Sequence, residues 1–379
     1  MANKNGWGDG ASNNKIGWGQ GANNYIGWGS SELVSYEGLT NIVGAFTTKW
    51  TTTAPSEQIT LPYTANGTYT GTIYWGDGST SVNDGTITTH TYATAGTYTV
   101  IIRGVCTGWD VGNTIGELLN ITSVVNWGQL QLGTDNAGYN FGHCYNLDLS
   151  SVQGTLDLTG VTNFNGLFEG CTSLTTINNI NSWDTSAITN MGVMFYNCTS
   201  FNQALSFNAS AVTDMDSMFF GCSVFNSALS LNTSSVIAMT SMFEGCTAFN
   251  QPLSFDTSSV EAMGRMFRDA TAFNQNISSW NTGAVTDMNQ MFRDAPAFNQ
   301  NIGTWNVENV QDFSGFMLGK TPATFSTTNL NAIYNGWSTQ AVQSHLDISF
   351  GTAKYTAAAT AGRLILTGTK LWTITDGGI

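Results

Sequence analysis

Residues Val285-Thr286-Asp287-Met288-Asn289-Gln290-Met291-Phe292-Arg293-Asp294-Ala295-Pro296-Ala297-Phe298-Asn299-Gln300-Asn301-Ile302 repeat, with few changes, residues 260–277 one copy earlier. Reading outward from this stretch, Phe141, Phe168, Phe195, Phe219, Phe243, Phe267 and Phe292 recur at intervals of 27, 27, 24, 24, 24 and 25 residues. A unit this short cannot bury its own apolar face, so successive copies must stack and share one core. Within each copy Val, Met, Met and Phe fall at i, i+3, i+6 and i+7, as in Val212, Met215, Met218 and Phe219. That is the spacing of one helical face, and it predicts a short helix per copy followed by a short strand through Leu229 and Leu231.

Five of the six cysteines, Cys144, Cys171, Cys198, Cys222 and Cys246, follow a repeat phenylalanine by three residues, and Ala270 and Ala295 take that place later. A small buried group is required there. Stacked coils about 4.8 Å apart hold parallel Cβ atoms slightly too far apart for a disulfide, so free thiols are expected. An Asn ladder, Asn202, Asn226, Asn250, Asn274 and Asn299, is expected to satisfy backbone groups at a corner. Trp183, Trp280 and Trp305 alternate with Phe207, Leu231 and Phe255 at one position, which predicts core packing. Arg265, Arg268 and Arg293 are expected to pair locally, beside Asp269 and Asp294.

Composition sets the limits. Only 9% of the 379 residues are charged and 41% are hydrophobic, with a net charge of -14. The chain is too apolar to be disordered. It has no basic stripe for phosphates, which excludes nucleic acid as an expected partner. The start carries no export signal and no run is long enough to span a bilayer, so neither secretion by a leader nor membrane insertion is expected.

Between residues 54 and 105 the pattern alternates as strands do. Trp75-Gly76-Asp77-Gly78-Ser79 has the chemistry of a tight hairpin turn, and His90-Thr91-Tyr92 and Gly96-Thr97-Tyr98-Thr99-Val100 follow it. These residues resemble PKD-like immunoglobulin-type domains, which implies a β-sandwich acting as spacer or adhesion module without catalysis. The repeats resemble BspA-like leucine-rich-repeat surface proteins, whose repeat Val285 to Thr304 follows closely. Gly336-Trp337-Ser338 and Trp372 to Gly378 are similar to the closing segment of such proteins. The expected fold is mainly β with short helices: a PKD/Ig-like β-sandwich at 54–110, then a leucine-rich-repeat-type α/β solenoid at 115–335, then a capping segment at 336–379. Residues 1–50, with Gly-Trp-Gly at Trp7, Trp18 and Trp28, resemble virion-attachment segments of phage fibre and decoration proteins. The three tryptophans are the expected anchors, since large aromatics are costly to leave in water.

Chemistry is sparse. His90, His143 and His345 stand far apart, so no metal site is expected. Asp77 and Asp84 read as turn residues rather than calcium ligands. Asp214, Asp216, Glu244, Glu261, Asp269, Asp287 and Asp294 offer acids on successive coils, but none stands apart as one of a glycosidase pair. No catalytic, cofactor-binding or metal residue is expected. The partner-reading positions are expected on the strand segments, at Gln203, Gln251, Gln275 and Gln300. The resemblances together imply a non-enzymatic structural virion protein of a tailed phage: a head fibre, a capsid decoration or a tail-associated adhesin. Residues 1–50 are expected to contact other virion proteins, and the solenoid a host-surface protein or glycan. A bacterial cell-surface adhesin and a polysaccharide depolymerase are the alternatives. A homo-oligomer fits either display role, and no coiled-coil heptad specifies one.

Overall fold

The computed structural model describes residues 44–112, 120–133 and 138–379, so Trp7, Trp18 and Trp28 lie outside the described residues. The first quarter of the described chain is sheet. It contains β1 (Phe46–Thr52), β2 (Glu57–Thr60), β3 (Tyr63–Tyr69), β4 (Thr72–Tyr74), β5 (Thr80–Val82), β6 (Thr89–Tyr92), β7 (Gly96–Arg103), β8 (Cys106–Trp109), β9 (Ile121–Asn126) and β10 (Leu130–Gln131). One sheet has the order β5-β4-β7-β1-β9, a second the order β10-β8-β3, and β2 pairs with β6. β1 and β7 run antiparallel with Trp50 opposite Tyr98 and Phe46 opposite Ile102. Phe46, Trp50, Trp75, Tyr92 and Trp109 are buried between these layers.

The expected hairpin is present between β4 and β5. Trp75 donates its N–H to the Ser79 carbonyl at 3.2 Å, and Asp77 Oδ1 accepts from Ser79 N and Oγ at 2.9 and 2.6 Å. Gly76 and Gly78 have φ of 88° and 94°, the left-handed conformation such a turn needs.

β9 links the sheets to the repeats. It pairs with β1 on one side, and on the other Ser123 bridges Asp148 and Asn126 bridges Gln153 in parallel. A separate parallel ladder one residue wide runs through Asn163, Asn190, Asp214, Ala238, Ala262, Asp287 and Asp312. Phe313 hands it to Ile348 in β11 (Asp347–Ser349), which pairs with β12 (Thr373–Thr375). Helices α1 (Thr327–Trp337) and α2 (Thr360–Leu364) close this end. The described chain is mainly β with two short α-helices and no closed barrel.

One apolar core runs from Phe46 to Trp372 through every coil. Consecutive repeat phenylalanines from Phe195 to Phe292 stack at 5.6 to 5.7 Å between ring centroids, and Phe249 lies 4.3 Å from Phe243 within its coil. All six cysteines are free and buried. The thiols of Cys171, Cys198, Cys222 and Cys246 donate to the carbonyls of Phe141, Phe168, Phe195 and Phe219 at 2.9 to 3.1 Å. Trp183, Trp280 and Trp305 are buried, as their exchange with Phe and Leu predicts.

The short helix expected in each copy is absent; the Val-Met-Met-Phe segments are chains of turns. Met215, Ser217, Phe219 and Gly221 donate their N–H groups to Ala238, Thr240, Met242 and Glu244 of the next coil, at 2.8 to 3.0 Å. Met218, Phe220 and Cys222 instead donate to Met215, Ser217 and Phe219, three residues back. A helix would aim its N–H groups along its own axis at carbonyls four residues back, leaving only those of its first turn unpaired and none aimed sideways to join the coils. The price is two left-handed residues per coil: Ser217 at φ 55° and Gly221 at φ 70°, matched by Arg265 and Asp269 at 58° and 57°. Turns of three and four residues return side chains to one face at intervals that imitate a helix, which explains the misleading period.

The second of these left-handed positions holds His143, Gly170, Asn197, Gly221, Gly245, Asp269, Asp294 and Gly319, all but His143 being Gly, Asn or Asp, the residues that best tolerate the conformation. A Cβ at Gly245 meets only Gly221, at 3.5 Å, so backbone conformation and not space decides what fits. Gly245→Val is expected to cost about 1–2 kcal/mol and Gly245→Asn under about 1 kcal/mol, by urea unfolding. Equal costs would show that the position is not conformationally selected.

Candidate functional site

The four glutamines expected to read a partner lie along the Asn ladder, where amides clamp coil to coil. Asn226, Asn250, Asn274 and Asn299 donate their backbone N–H groups to the Oδ1 of Asn202, Asn226, Asn250 and Asn274 at 2.8 to 2.9 Å. Gln251 Nε2 donates to Asn226 Oδ1 at 3.2 Å. Gln275 and Gln300 donate to both the backbone and side-chain oxygens of Asn250 and Asn274 at 2.8 to 3.0 Å. Gln203 exchanges two bonds with the Ile177 backbone at 2.7 and 3.0 Å. Any partner here competes with bonds that join the coils.

The stretches beginning at Asp184, Asn208, Asn232 and Asp256 form turns. Ser186, Ser210, Ser234 and Ser258 donate their N–H groups to the side chain two residues before, at 3.0 to 3.2 Å. Thr185, Thr233, Thr257 and Thr282 send their hydroxyls to the next coil's backbone at 2.6 to 2.9 Å.

The acids are mostly in structural use as well. Asp214 accepts from Asn190 Nδ2 at 2.9 Å and from Asp216 N at 2.9 Å, and Asp216 accepts from Thr240 N at 2.6 Å. Burial raises the Asp216 carboxyl above its usual range against the opposing Thr240 bond, with Asp214 adding to the rise. Arg268 lies 3.4 Å from both Glu244 and Asp269, and Arg293 lies 3.2 Å from Asp294, the local pairing expected, whereas Arg265 forms no salt bridge among the described residues.

In the sheet region Asp77, Ser79 and His90 meet. His90 Nε2 is 2.8 Å from Asp77 Oδ2 and 3.5 Å from Ser79 Oγ, and Ser79 Oγ is 2.6 Å from Asp77 Oδ1. Both partners approach the same ring nitrogen, so the imidazole cannot relay a proton between them as a triad requires. Burial works against ionisation of Asp77, but the Ser79 and His90 hydrogen bonds hold its carboxyl below the usual range. Trp75 stacks on the His90 ring at 4.7 Å, which makes the trio a brace for the turn. No group of three or more His, Cys, Asp or Glu could hold a metal ion among the described residues. Burial pushes the five ladder thiols well above their ordinary value. No helix among the described residues is long and apolar enough to cross a membrane.

Two features escaped the sequence reading. Lys320 takes the ladder position of Cys246, Ala270 and Ala295, is 2% exposed, and donates to the carbonyls of Ala295 and, at 2.6 Å, Phe298. Alignment of the last coil, where Phe313, Phe316 and Met317 replace Met, Met and Phe, carries the signal. The second is the register just after the repeat phenylalanine: Glu169, Tyr196, Phe220, Glu244, Arg268 and Arg293. Its residues sit side by side on the turn face, with Tyr196 stacked on Phe220 at 4.5 Å. Its lack of a consensus hid it.

No curated protein and no solved structure matches the chain. The family described as "Mycoplasma protein of unknown function, DUF285" matches residues 137–254, 229–324 and 254–359, together more than half of the chain and compatible with a BspA-like repeat protein. The matched residues hold the stacked coils, and by this coverage the chain belongs to that family.

Proposed function

We propose that the protein is a non-enzymatic binding scaffold displayed on a biological surface, built as a PKD-like sandwich joined to a leucine-rich-repeat-type solenoid and its cap. The observation that supports this most is the single apolar core from Phe46 to Trp372. A stack of coils coupled in this way is a stiff rod with a long, ordered flank, which suits contact with a host-surface protein or glycan. On a tailed phage, residues 1–50 attach the rod to other virion proteins as part of a head fibre, decoration or tail-associated adhesin. The second reading, a bacterial cell-surface adhesin, draws on the family match to Mycoplasma proteins.

The attachment test needs care, because β1 begins at Phe46 and Trp50 is buried. The informative truncation removes residues 1–43. Particles assembled with the truncated chain are expected to lack it, while its circular dichroism and melting stay those of the full chain. Normal incorporation rejects the virion reading. Antibody labelling of the full chain on intact, uninfected bacteria selects the adhesin instead.

A further inference from the structure

On the Leu-Ser-Phe flank of the solenoid the joins between coils lapse at one place. Leu205 donates its N–H to the Ala228 carbonyl at 3.1 Å and accepts from Ser230 at 2.9 Å, which ties those two coils. The N–H and C=O groups of the next copy, Leu253-Ser254-Phe255, have no hydrogen-bond partner among the described residues. The copy after that, Ile277-Ser278-Ser279-Trp280, carries one more residue between the same two core positions, so the two backbones cannot run in register. Trp305 and Trp337 donate their indole N–H groups to the Ile277 and Ile302 carbonyls at 3.1 and 3.2 Å. Trp280 holds the same pose as Trp305: it lies 6.1 Å and 30° from Phe267, and Trp305 lies 6.3 Å and 33° from Phe292. Its N–H is therefore aimed toward Leu253, yet it is buried without a partner among the described residues. A buried donor left unpaired is costly, and such groups are rare.

Given the surface-display reading on which this rests, we propose that the opening from Ser230 across Leu253-Ser254-Phe255 to Trp280 is the solenoid's binding site for a neutral glycan. Main-chain donors and acceptors alternate there beside the exposed Ser230 and Ser254. They call for a ligand group that both donates and accepts, which a sugar hydroxyl does. Leu229, Leu231, Leu253, Phe255 and Trp280 are 6 to 7% exposed, whereas the repeat phenylalanines are 0%. The core thus reaches the surface here and offers apolar edges to the C–H face of a sugar ring. Residues 225–235, 249–255 and 272–283 carry no charged side chain, and the adjacent Asp256 is engaged by Ser258 N and Oγ at 3.0 and 2.6 Å. A charged ligand finds no counter-charge. A peptide strand inserted between the coils would need two spacings of about 4.8 Å, more than the 6.4 Å between the Phe255 and Trp280 rings. A glycan lying across the opening needs only to send hydroxyls into it.

Native electrophoresis of the full chain through gels cast with dextran, mannan or laminarin, and with alginate as the charged contrast, tests this. Retardation is expected in at least one neutral gel and is expected to be unchanged by added salt. Ser254→Arg covers the opening from an exposed position and is expected to weaken binding roughly tenfold or more. Trp280→Phe keeps the ring, removes the N–H and is expected to weaken it roughly fivefold. Ser206→Arg, at the same position of the paired coil, is expected to leave binding unchanged. Circular dichroism of each variant checks that the coils remain stacked. Free passage through all three neutral gels overturns the proposal, as does retardation by alginate alone. So does binding that Ser254→Arg leaves intact or that both arginine variants weaken equally. Binding of the chain to bacterial cells that survives Ser254→Arg but not protease treatment of the cells assigns a protein partner, which overturns the site and leaves the display reading standing. A chain that binds no cell surface removes the display reading too.

Discussion

Phe243→Ala is expected to remove about 3–5 kcal/mol of stability, the cost of deleting a fully buried ring and leaving a cavity. The ring is 0% exposed and has neighbours on three sides: Phe219 at 5.7 Å, Phe267 at 5.6 Å and Phe249 at 4.3 Å. The coils above and below are fixed by their own hydrogen bonds to the neighbouring coils and cannot collapse into the gap, so the cost should sit at the upper end. Coupling in a stack passes only between neighbours, and a weakened middle coil is therefore where cooperativity breaks. Urea unfolding should show a lower midpoint and a reduced slope as the two halves separate. Phe243→Leu, which keeps most of the volume, should lose far less and retain one transition. A loss under about 1 kcal/mol for the alanine variant would show that the phenylalanines do not carry the stack.

The same stack shows what the sequence makes legible. Period, core positions, free thiols and the Asn ladder were readable because each is a demand the stack imposes equally on every copy. The helix was misread because hydrophobic period reports which side chains face inward, not where the N–H groups go. Met215 and Met218 face inward in a helix or in a row of turns alike. The discriminating signal was present at the left-handed position, where Gly221, Gly245, Asn197, Asp269 and Asp294 are residues that tolerate positive φ. Ser217 and Arg265 at the other such position gave no warning. For the candidate site the logic inverts. Gln251, Gln275 and Gln300 drew attention because they recur, and they recur because they bind the preceding coil. Tyr196, Phe220, Arg268 and Arg293 do not recur as a type, so no period marks them, and their ring stack and ion pairs show only once the coils are superposed in register.

Lys320→Met is expected to flatten the rise of stability with pH and to make the protein more stable than wild type under mildly acidic conditions. Burial alone lowers the Lys320 amine from 10.5 to about 7. No carboxylate offsets this among its described contacts, which are the Ala295 and Phe298 carbonyls and the faces of the Phe298 and Phe325 rings at 5.8 and 5.9 Å. The unfolded chain keeps its proton up to about pH 10.5, whereas the folded chain releases it above about pH 7. Between those values the unfolded state binds more protons, so stability climbs with pH by up to about 1.4 kcal/mol per unit. Below about pH 7 both states are charged and the burial cost is carried in full. Methionine fills similar space without a charge and removes that cost. It also leaves the Phe298 carbonyl without its donor, a loss of about 1–3 kcal/mol, while the Ala295 carbonyl keeps the Phe298 N–H at 3.2 Å. The two curves should therefore cross: the variant more stable at pH 6, the wild type equal or better at pH 10. Taking the difference between the proteins at each pH cancels every other titrating group. Parallel profiles would mean that the Lys320 ammonium is as well solvated in the folded cap as in water, and that the last coil opens there to admit solvent.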